Sequence, residues 1–306
     1  EGVSRDIMDR AFEAGVNFID TADVYNRGNT QTIIGSWLPE HRDQIVLATK
    51  AHFPTGKGVN DRGSSRRHIV LSVEQSLKRL QTDWVDVLYL HHWDENTAIE
   101  ESLAALSHLI DQGKVLYAGI SNFAAWQAMK AVAVAEANGY ANIVVTQPMY
   151  SLLKRQAEVE ILPMALDQNI AVCPYSPLGA GLLTGKYQRN EQGRIDVNPM
   201  YKERYKDSVH RQVSDLFVAH ANERGITPSA LALRWVLTHP AITSAIIGAR
   251  NLDQLNAALE CGDVALSPEE REAVSALAPE PPSPTDREKA AFLPFPPKKE
   301  AADKAG

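Results

Sequence analysis

A chain of 306 residues with 44% hydrophobic and 7% aromatic content is long enough to bury one large core, and α/β barrels commonly reach this size as single domains. Its net charge of −7 and the lack of a clustered Lys and Arg run exclude broad electrostatic attraction to nucleic acid or to an anionic membrane surface. No apolar stretch approaches the ~20 residues of a membrane-spanning helix, and two isolated cysteines, Cys173 and Cys261, offer no disulfide framework, which points to a reducing, cytoplasmic setting.

The chain opens in helical spacing, with Ile7, Met8, Ala11 and Phe12 on one side and Gly15 placed to end that helix. Apolar runs of strand length follow at 16–20, 45–50, 85–91, 115–120, 143–146, 170–175 and 245–248. Between them, Ile69, Val73, Leu77 and Leu80, and then Ile99, Leu103, Leu106 and Ile110, recur three and four residues apart, as the buried side of a helix does. Gly113 reads as a C-cap, and Thr227 before Pro228 as an N-cap followed by proline in the first turn. Seven strands alternating with helices predict an α/β fold, a (β/α)8 TIM barrel lacking its first strand at the N-terminus, because the chain begins inside what would be the first helix. The polar segment 187–201, after the seventh barrel strand counting the absent one, is too long for an ordinary connection and is expected to be functional or mobile. Residues 1–280 are read as the barrel domain and the Pro-rich stretch 281–306 as a disordered tail.

In barrels of this kind, polar groups at the carboxyl ends of the strands build the site. Asp20, Lys50 and His91 each end an apolar run, and Tyr25 lies in the loop after Asp20. A free tyrosine, with a pKa near 10, needs a neighbouring cation to serve as a proton donor, and Lys50 can supply it while Asp20 neutralises and directs Lys50. His91 can orient a carbonyl oxygen, whereas strand alternation turns its neighbour His92 to the other face. Alone, each residue has a structural reading: a helix cap, a surface phenol, a snorkelling lysine, a hydrogen-bonded core imidazole. Together, four compatible groups on successive strand ends point to one active site. The histidines lack metal-ligand spacing, so no metal is expected.

The run Gly15-Val16-Asn17-Phe18-Ile19-Asp20-Thr21-Ala22-Asp23-Val24-Tyr25, the motif Ala48-Thr49-Lys50 and the run Asp86-Val87-Leu88-Tyr89-Leu90-His91 resemble the signatures of the aldo-keto reductases. The resemblance assigns the family's catalytic tetrad to Asp20, Tyr25, Lys50 and His91, with Lys50 lowering the Tyr25 pKa. Gly119-Ile120-Ser121-Asn122-Phe123 is similar to the segment whose Ser and Asn, here Ser121 and Asn122, hold the nicotinamide carboxamide together with Gln147. Tyr175 resembles the aromatic that stacks on the nicotinamide ring, and Ser176, Pro177, Leu178 and Gly179 begin a loop that covers the pyrophosphate and ends at Lys186. The segment with Gly248, Arg250 and Gln254 resembles the adenosine-phosphate element, with Arg250 on the 2′-phosphate favouring NADPH over NADH, while Ala257 and Ala258 replace the family's usual acidic residue and asparagine.

The resemblance therefore implies NADPH-dependent reduction of an aldehyde or ketone to an alcohol by hydride transfer, with Tyr25 as general acid and a small-molecule carbonyl substrate. The family also includes subunits of potassium channels, so a cofactor-sensing regulatory subunit with little turnover is the alternative. A Schiff-base lyase using Lys50 would leave Ser121, Gln147, Tyr175 and Arg250 without a role. Neither the particular carbonyl substrate nor the oligomeric state can be read from the pattern.

Overall fold

The computed structural model describes residues 2–285, so the predicted tail beyond Thr285 lies outside the described residues. Six strands, β1 (Phe18–Asp20), β2 (Val46–Ala51), β3 (Val85–Leu90), β4 (Val115–Ser121), β5 (Ile143–Gln147) and β6 (Ala171–Val172), form one sheet in chain order, each parallel to its neighbours. Parallel neighbours need a crossover, and each of the five here contains a helix. Helix α1 (Gly2–Glu13) precedes β1, and the five crossovers contain α2 (Asn29–Trp37), α3 (Arg66–Leu80), α4 (Ile99–Asp111), α5 (Ala125–Asn138) and α6 (Ile161–Asp167) in turn. After β6 follow α7 (Arg194–Val197), α8 (Pro199–Arg204), α9 (Ser208–Glu223), α10 (Pro228–Leu237), α11 (Leu252–Leu259) and α12 (Pro268–Ser275).

Alternation along the strands separates two apolar layers. Leu47, Leu88, Leu90, Ala118 and Ile120 pack in one core with Ile69, Val73, Leu103 and Leu106 of the helices. Ala48, Val87, Tyr89, Val145 and Cys173 form a second, with Phe18 and Ala171 against them. In a flat sheet β1 and β5 would stand ~19 Å apart, four inter-strand spacings. Instead, Gln147 Nε2 at the end of β5 donates to Asp20 Oδ1 at the end of β1 over 2.9 Å, so the sheet curls until its inner faces meet. On the outside α1 packs against α11, where Arg10 Nε donates to Asn256 Oδ1 at 3.1 Å. The enclosed interior leaves little room: a Cβ on Gly119 would lie 2.7 Å from Tyr89 Cδ1 and 2.9 Å from Val145 Cγ1.

Several sequence expectations are corrected. Residues 245–248 form no strand, although the chain there runs beside β6, with Thr243 N donating to Val172 O and Ile246 N to Pro174 O, both at 2.9 Å. β6 is regular only over Ala171–Val172, because Pro174 has no N–H and Ser176 turns the chain with a φ of 59°. The described residues thus form a six-stranded, curled, parallel sheet with helices, an α/β fold. Thr227 precedes α10 but does not cap it with its side chain, since its hydroxyl donates to Glu260. Gly15 and Gly113 do close α1 and α4, where Val16 N reaches Ala11 O and Lys114 N reaches Leu109 O, each at 3.0 Å. The predicted long connection contains the two short helices α7 and α8.

Gly35 sets how closely α2 approaches α3, because a Cβ there would sit 2.1 Å from the backbone oxygen of Arg79. Gly35→Ala is expected to destabilise the fold by about 1–3 kcal/mol despite the better helix propensity of alanine. Chemical denaturation would show a lower midpoint, and an unchanged or higher midpoint would contradict this packing.

Candidate active site

The site is built on the carboxyl ends of the strands. Lys50 points inward from β2 with 1% of its surface exposed, and its ammonium donates to Asp20 Oδ2 and, at 2.9 Å, to the Thr21 carbonyl. Burial lowers the Lys50 pKa, and the paired Asp20 carboxylate opposes that shift. Asp20 is held from two sides, since its other oxygen accepts from Gln147. Past β1 the chain stays zipped to β2, with Thr21 N donating to Ala48 O at 2.9 Å and Asp23 N to Lys50 O at 3.2 Å. On the opposite face of β2, Thr49 Oγ1 accepts from Gln31 Nε2 at 2.9 Å, and Gln31 also bonds Ser76 at 2.9 Å and Arg79 at 3.0 Å. That buried polar cluster ties α2 and α3 to the strand behind Lys50.

Tyr25 begins a tight turn, Tyr25–Gly28, in which Asn26 and Arg27 take left-handed φ values of 47° and 56°. The turn lays the phenol ring against the site: the Lys50 ammonium lies 4.9 Å from its centroid and the His91 ring packs edge-on at 5.8 Å. The expected lowering of the Tyr25 pKa is not found. Desolvation by the surrounding side chains, then the Asp20 charge and the neighbouring phenols of Tyr201 and Tyr175, raise it above the ordinary phenol range, and Arg194 works against them. The Lys50 ammonium that meets the ring face is paired with Asp20, whose charge adds to the rise.

His91 follows β3, its N–H continuing the ladder to Ala51 O at 3.1 Å. Its ring is buried edge-on against Phe53 at 4.7 Å, and its Nδ1 has no hydrogen-bond partner among the described residues. Burial, followed by the Lys50 charge, pushes the imidazole down to about 3, so it is neutral at physiological pH. His92 is exposed and its Nδ1 meets the Trp93 carbonyl oxygen at 2.8 Å, as alternation requires. The unfolded chain, where a histidine titrates near ~6.5, binds a proton that the folded one refuses. The stability contributed by His91 is therefore complete above pH ~6.5 and lost as pH falls towards about 3. A His91→Gln variant is expected to lose less stability than the parent between pH 7 and pH 4, as denaturation midpoints would report; parallel losses would contradict a buried neutral imidazole.

Of the residues expected on the cofactor side, Ser121, Asn122, Gln147 and Tyr175 are joined by hydrogen bonds. Ser121 Oγ donates to Gln147 O at 2.9 Å, Asn122 Nδ2 donates to His91 O at 2.9 Å, and the Tyr175 hydroxyl donates to Asn122 Oδ1 at 2.7 Å. Asn122, directly after β4, and Ser176, four residues past β6, are non-glycine residues with positive φ, 57° and 59°. Such strained positions persist where a site over-determines them. Pro177 and Leu178 lead into the turn Gly179–Thr184, and the Lys186 side chain folds back over it, its Cδ 2.9 Å from where a Gly181 Cβ would be. Arg250 is exposed, its backbone N–H donates to Gln254 Oε1 at 3.1 Å, and its guanidinium lies within electrostatic range of Tyr187, beside Lys186. Gly248 has open space where a Cβ would be. Among the described residues neither Lys186 nor Arg250 forms an ion pair, so both cations are free to meet phosphate. This donor set fits a dinucleotide phosphate.

Three features are not picked out residue by residue in the sequence, although Arg194 and Tyr201 lie in the segment 187–201 read there as functional or mobile. Phe53 walls the His91 ring, and only its place in the loop after β2 hints at this. Asp23, 2% exposed, accepts from the Ser72 hydroxyl, and burial raises its carboxyl to about 6; inside the Asp20 to Tyr25 motif it has no assigned role. Arg194, Tyr201 and Arg204, on α7 and α8, come within electrostatic range of Tyr25 or Tyr175. No helix among the described residues is long and apolar enough to cross a membrane, and no group of three or more His, Cys, Asp or Glu among them is placed to hold a metal ion.

A profile described as "Aldo/keto reductase family" matches residues 3–279. The chain is 39% identical over 274 residues to "Uncharacterized oxidoreductase YrpG" of Bacillus subtilis, covering 86% of this chain and 83% of that protein. It is 37% identical over 274 residues to "Probable voltage-gated potassium channel subunit beta" of Arabidopsis thaliana, covering 85% and 82%. It is also 35% identical over 283 residues to "Norsolorinic acid reductase B" of Dothistroma septosporum, covering 89% and 71%.

Proposed function

Because the chain belongs to the aldo/keto reductase family, we propose that it is an oxidoreductase that reduces an aldehyde or ketone with NADPH and uses Tyr25 as the general acid, on an eight-stranded barrel of which the six strands form the greater part. The observation that carries this reading is the buried Lys50 and Asp20 pair beneath the Tyr25 ring, with a neutral His91 at its edge. Ser121, Asn122, Gln147 and Tyr175 would hold the nicotinamide end of the cofactor, while Lys186 and Arg250 would meet its phosphates. Bound there, the cofactor would supply a hydride to the carbonyl carbon.

The chain's own residues handle the proton. Neutral His91 donates a hydrogen bond to the carbonyl oxygen and polarises it. Tyr25 stays protonated until negative charge builds on that oxygen, and then gives up its proton. Its raised pKa does not prevent this, because an alkoxide is about as basic as hydroxide, with a conjugate-acid pKa of ~16, above that of the phenol. Lys50 stabilises the phenolate that remains, and Asp20 keeps the ammonium aimed from below. Phe53 excludes water beside His91.

Fluorescence titration with NADPH followed by turnover of 4-nitrobenzaldehyde tests the reading; absence of both binding and turnover would overturn it. Arg250→Gln is expected to weaken NADPH binding about tenfold to a hundredfold with little effect on NADH, since only the former carries the 2′-phosphate. Equal losses for both cofactors would remove Arg250 from that role. The identity to a probable potassium channel subunit supports a second reading, that of a cofactor-sensing subunit, which tight NADPH binding without turnover would favour.

A further inference from the structure

The segment between β6 and α9 places more positive charge at the site than a dinucleotide requires. The Tyr201 ring is flanked by two guanidinium groups, Arg194 at 5.0 Å and Arg204 at 5.3 Å from its centroid, and Arg194 Nη1 donates to the Tyr201 hydroxyl at 3.3 Å. The Lys154 ammonium, from the loop after β5, lies 5.5 Å from the Tyr205 ring and within electrostatic range of Arg204. Among the described residues none of these three cations forms a salt bridge. Of the nearby acids, Glu203 pairs with Lys206 and Asp196 accepts from Gly193 N at 2.7 Å, while Asp207, which caps α9 by accepting from Val209 N at 3.1 Å, lies within electrostatic range of Lys154 without pairing to it. Tyr205, 4% exposed, buries a hydroxyl that has no hydrogen-bond partner among the described residues. Buried hydroxyls are normally satisfied, and an orphan beside unpaired cations marks a place for an acceptor.

In a chain of net charge −7, three cations outside any salt bridge among the described residues, gathered on one side of the site, are not a consequence of general basicity. Their position points to the substrate rather than the cofactor. Lys186 and Arg250 already provide for the phosphates, whereas Arg194 lies within range of Tyr25, the general acid, and Arg204 within range of Lys154 and of Tyr175, which is assigned to the nicotinamide end where the reacting carbonyl must sit. We infer that Arg204, with Arg194 and Lys154 around the Tyr201 and Tyr205 rings, forms an anion subsite for the substrate, so that the preferred carbonyl compounds carry a carboxylate. The inference rests on the reductase reading above. The planar fork of arginine suits a carboxylate, and the tyrosine rings supply walls for the carbon skeleton between the two ends.

The test compares 4-formylbenzoate with its methyl ester, which has the same shape without the charge. The parent protein should favour the acid about tenfold in kcat/KM, a preference that shrinks as salt rises to about 0.5 M. In Arg204→Gln the acid-to-ester ratio should fall about tenfold through KM, Arg204→Lys should restore part of it, and the NADPH dissociation constant should stay in place. No preference in the parent, an unmoved ratio in Arg204→Gln, or weakened NADPH binding in that variant would each overturn the assignment. If neither compound is turned over, the reductase reading fails, and calorimetric binding of benzoate to the NADP-saturated protein decides the subsite. Binding lost in Arg204→Gln supports it, and no binding overturns it.

Discussion

Replacing Tyr25 with phenylalanine is expected to lower the rate of carbonyl reduction about 10²- to 10⁴-fold, the range over which a positioned general acid contributes. The ring contacts survive the change. Phenylalanine keeps the face that Lys50 approaches at 4.9 Å and the edge packing on His91 at 5.8 Å, so the fold and the cofactor side should be preserved. Only the proton is removed. NADPH affinity, measured by fluorescence titration, should therefore stay within about twofold, because uniform binding is untouched when an interaction made in the transition state is lost. The pH profile of the parent adds a second check. The phenol titrates above the ordinary range and His91 below it, so neither should impose an inflection on kcat between pH 6 and pH 9. A Tyr25→Phe variant with nearly full turnover would remove the phenol from the proton path and shift attention to His91.

Lys50→Met is expected to cost about 3–5 kcal/mol of stability as well as activity, since it leaves the Asp20 carboxylate enclosed without its cation. The Lys50 side chain is fully buried and that of Asp20 8% exposed, so water cannot take the place of the ammonium. Gln147 Nε2, donating at 2.9 Å, would remain as a side-chain partner of the carboxylate. The double change Lys50→Met with Asp20→Leu removes both charges and should recover much of the stability while turnover stays absent. Denaturation midpoints and turnover measured side by side separate the two effects. A Lys50→Met protein as stable as the parent would show that the pair lies in water, against the burial seen here. If the double variant were no more stable than the single one, the loss would come from lost packing of the lysine stem.

The strand ends are legible in the sequence because an apolar run closed by a charged residue marks where a buried strand reaches the barrel mouth. Asp20, Lys50 and His91 all stand where those runs stop, and the register that sets Lys50 opposite Tyr89 follows from the alternation. The last run misleads for a definite reason. Ala245, Ile246 and Ile247 are apolar enough for a strand, but pairing needs a regular neighbour, and Pro174 with the left-handed Ser176 breaks β6 after two residues. The Tyr25 pKa moves opposite to the sequence expectation because folding desolvates the phenol and sets the Asp20 charge and the phenols of Tyr201 and Tyr175 near it. Thr227 has the place of a cap before Pro228, yet its hydroxyl finds Glu260, 33 residues away.

By itself the sequence determined the order of β and α elements, the chemical types at the strand ends and the membership of a family, since each depends on residues close together in the chain. The tertiary structure alone decided what those groups become. Curling brings Gln147 onto Asp20 across 127 residues, and burial makes His91 neutral. The segment after β6 carries Arg194 and Arg204 to the Tyr25 and Tyr175 side of the site. Distances, desolvation and charge pairing are set by which distant segments meet, and no local pattern records them.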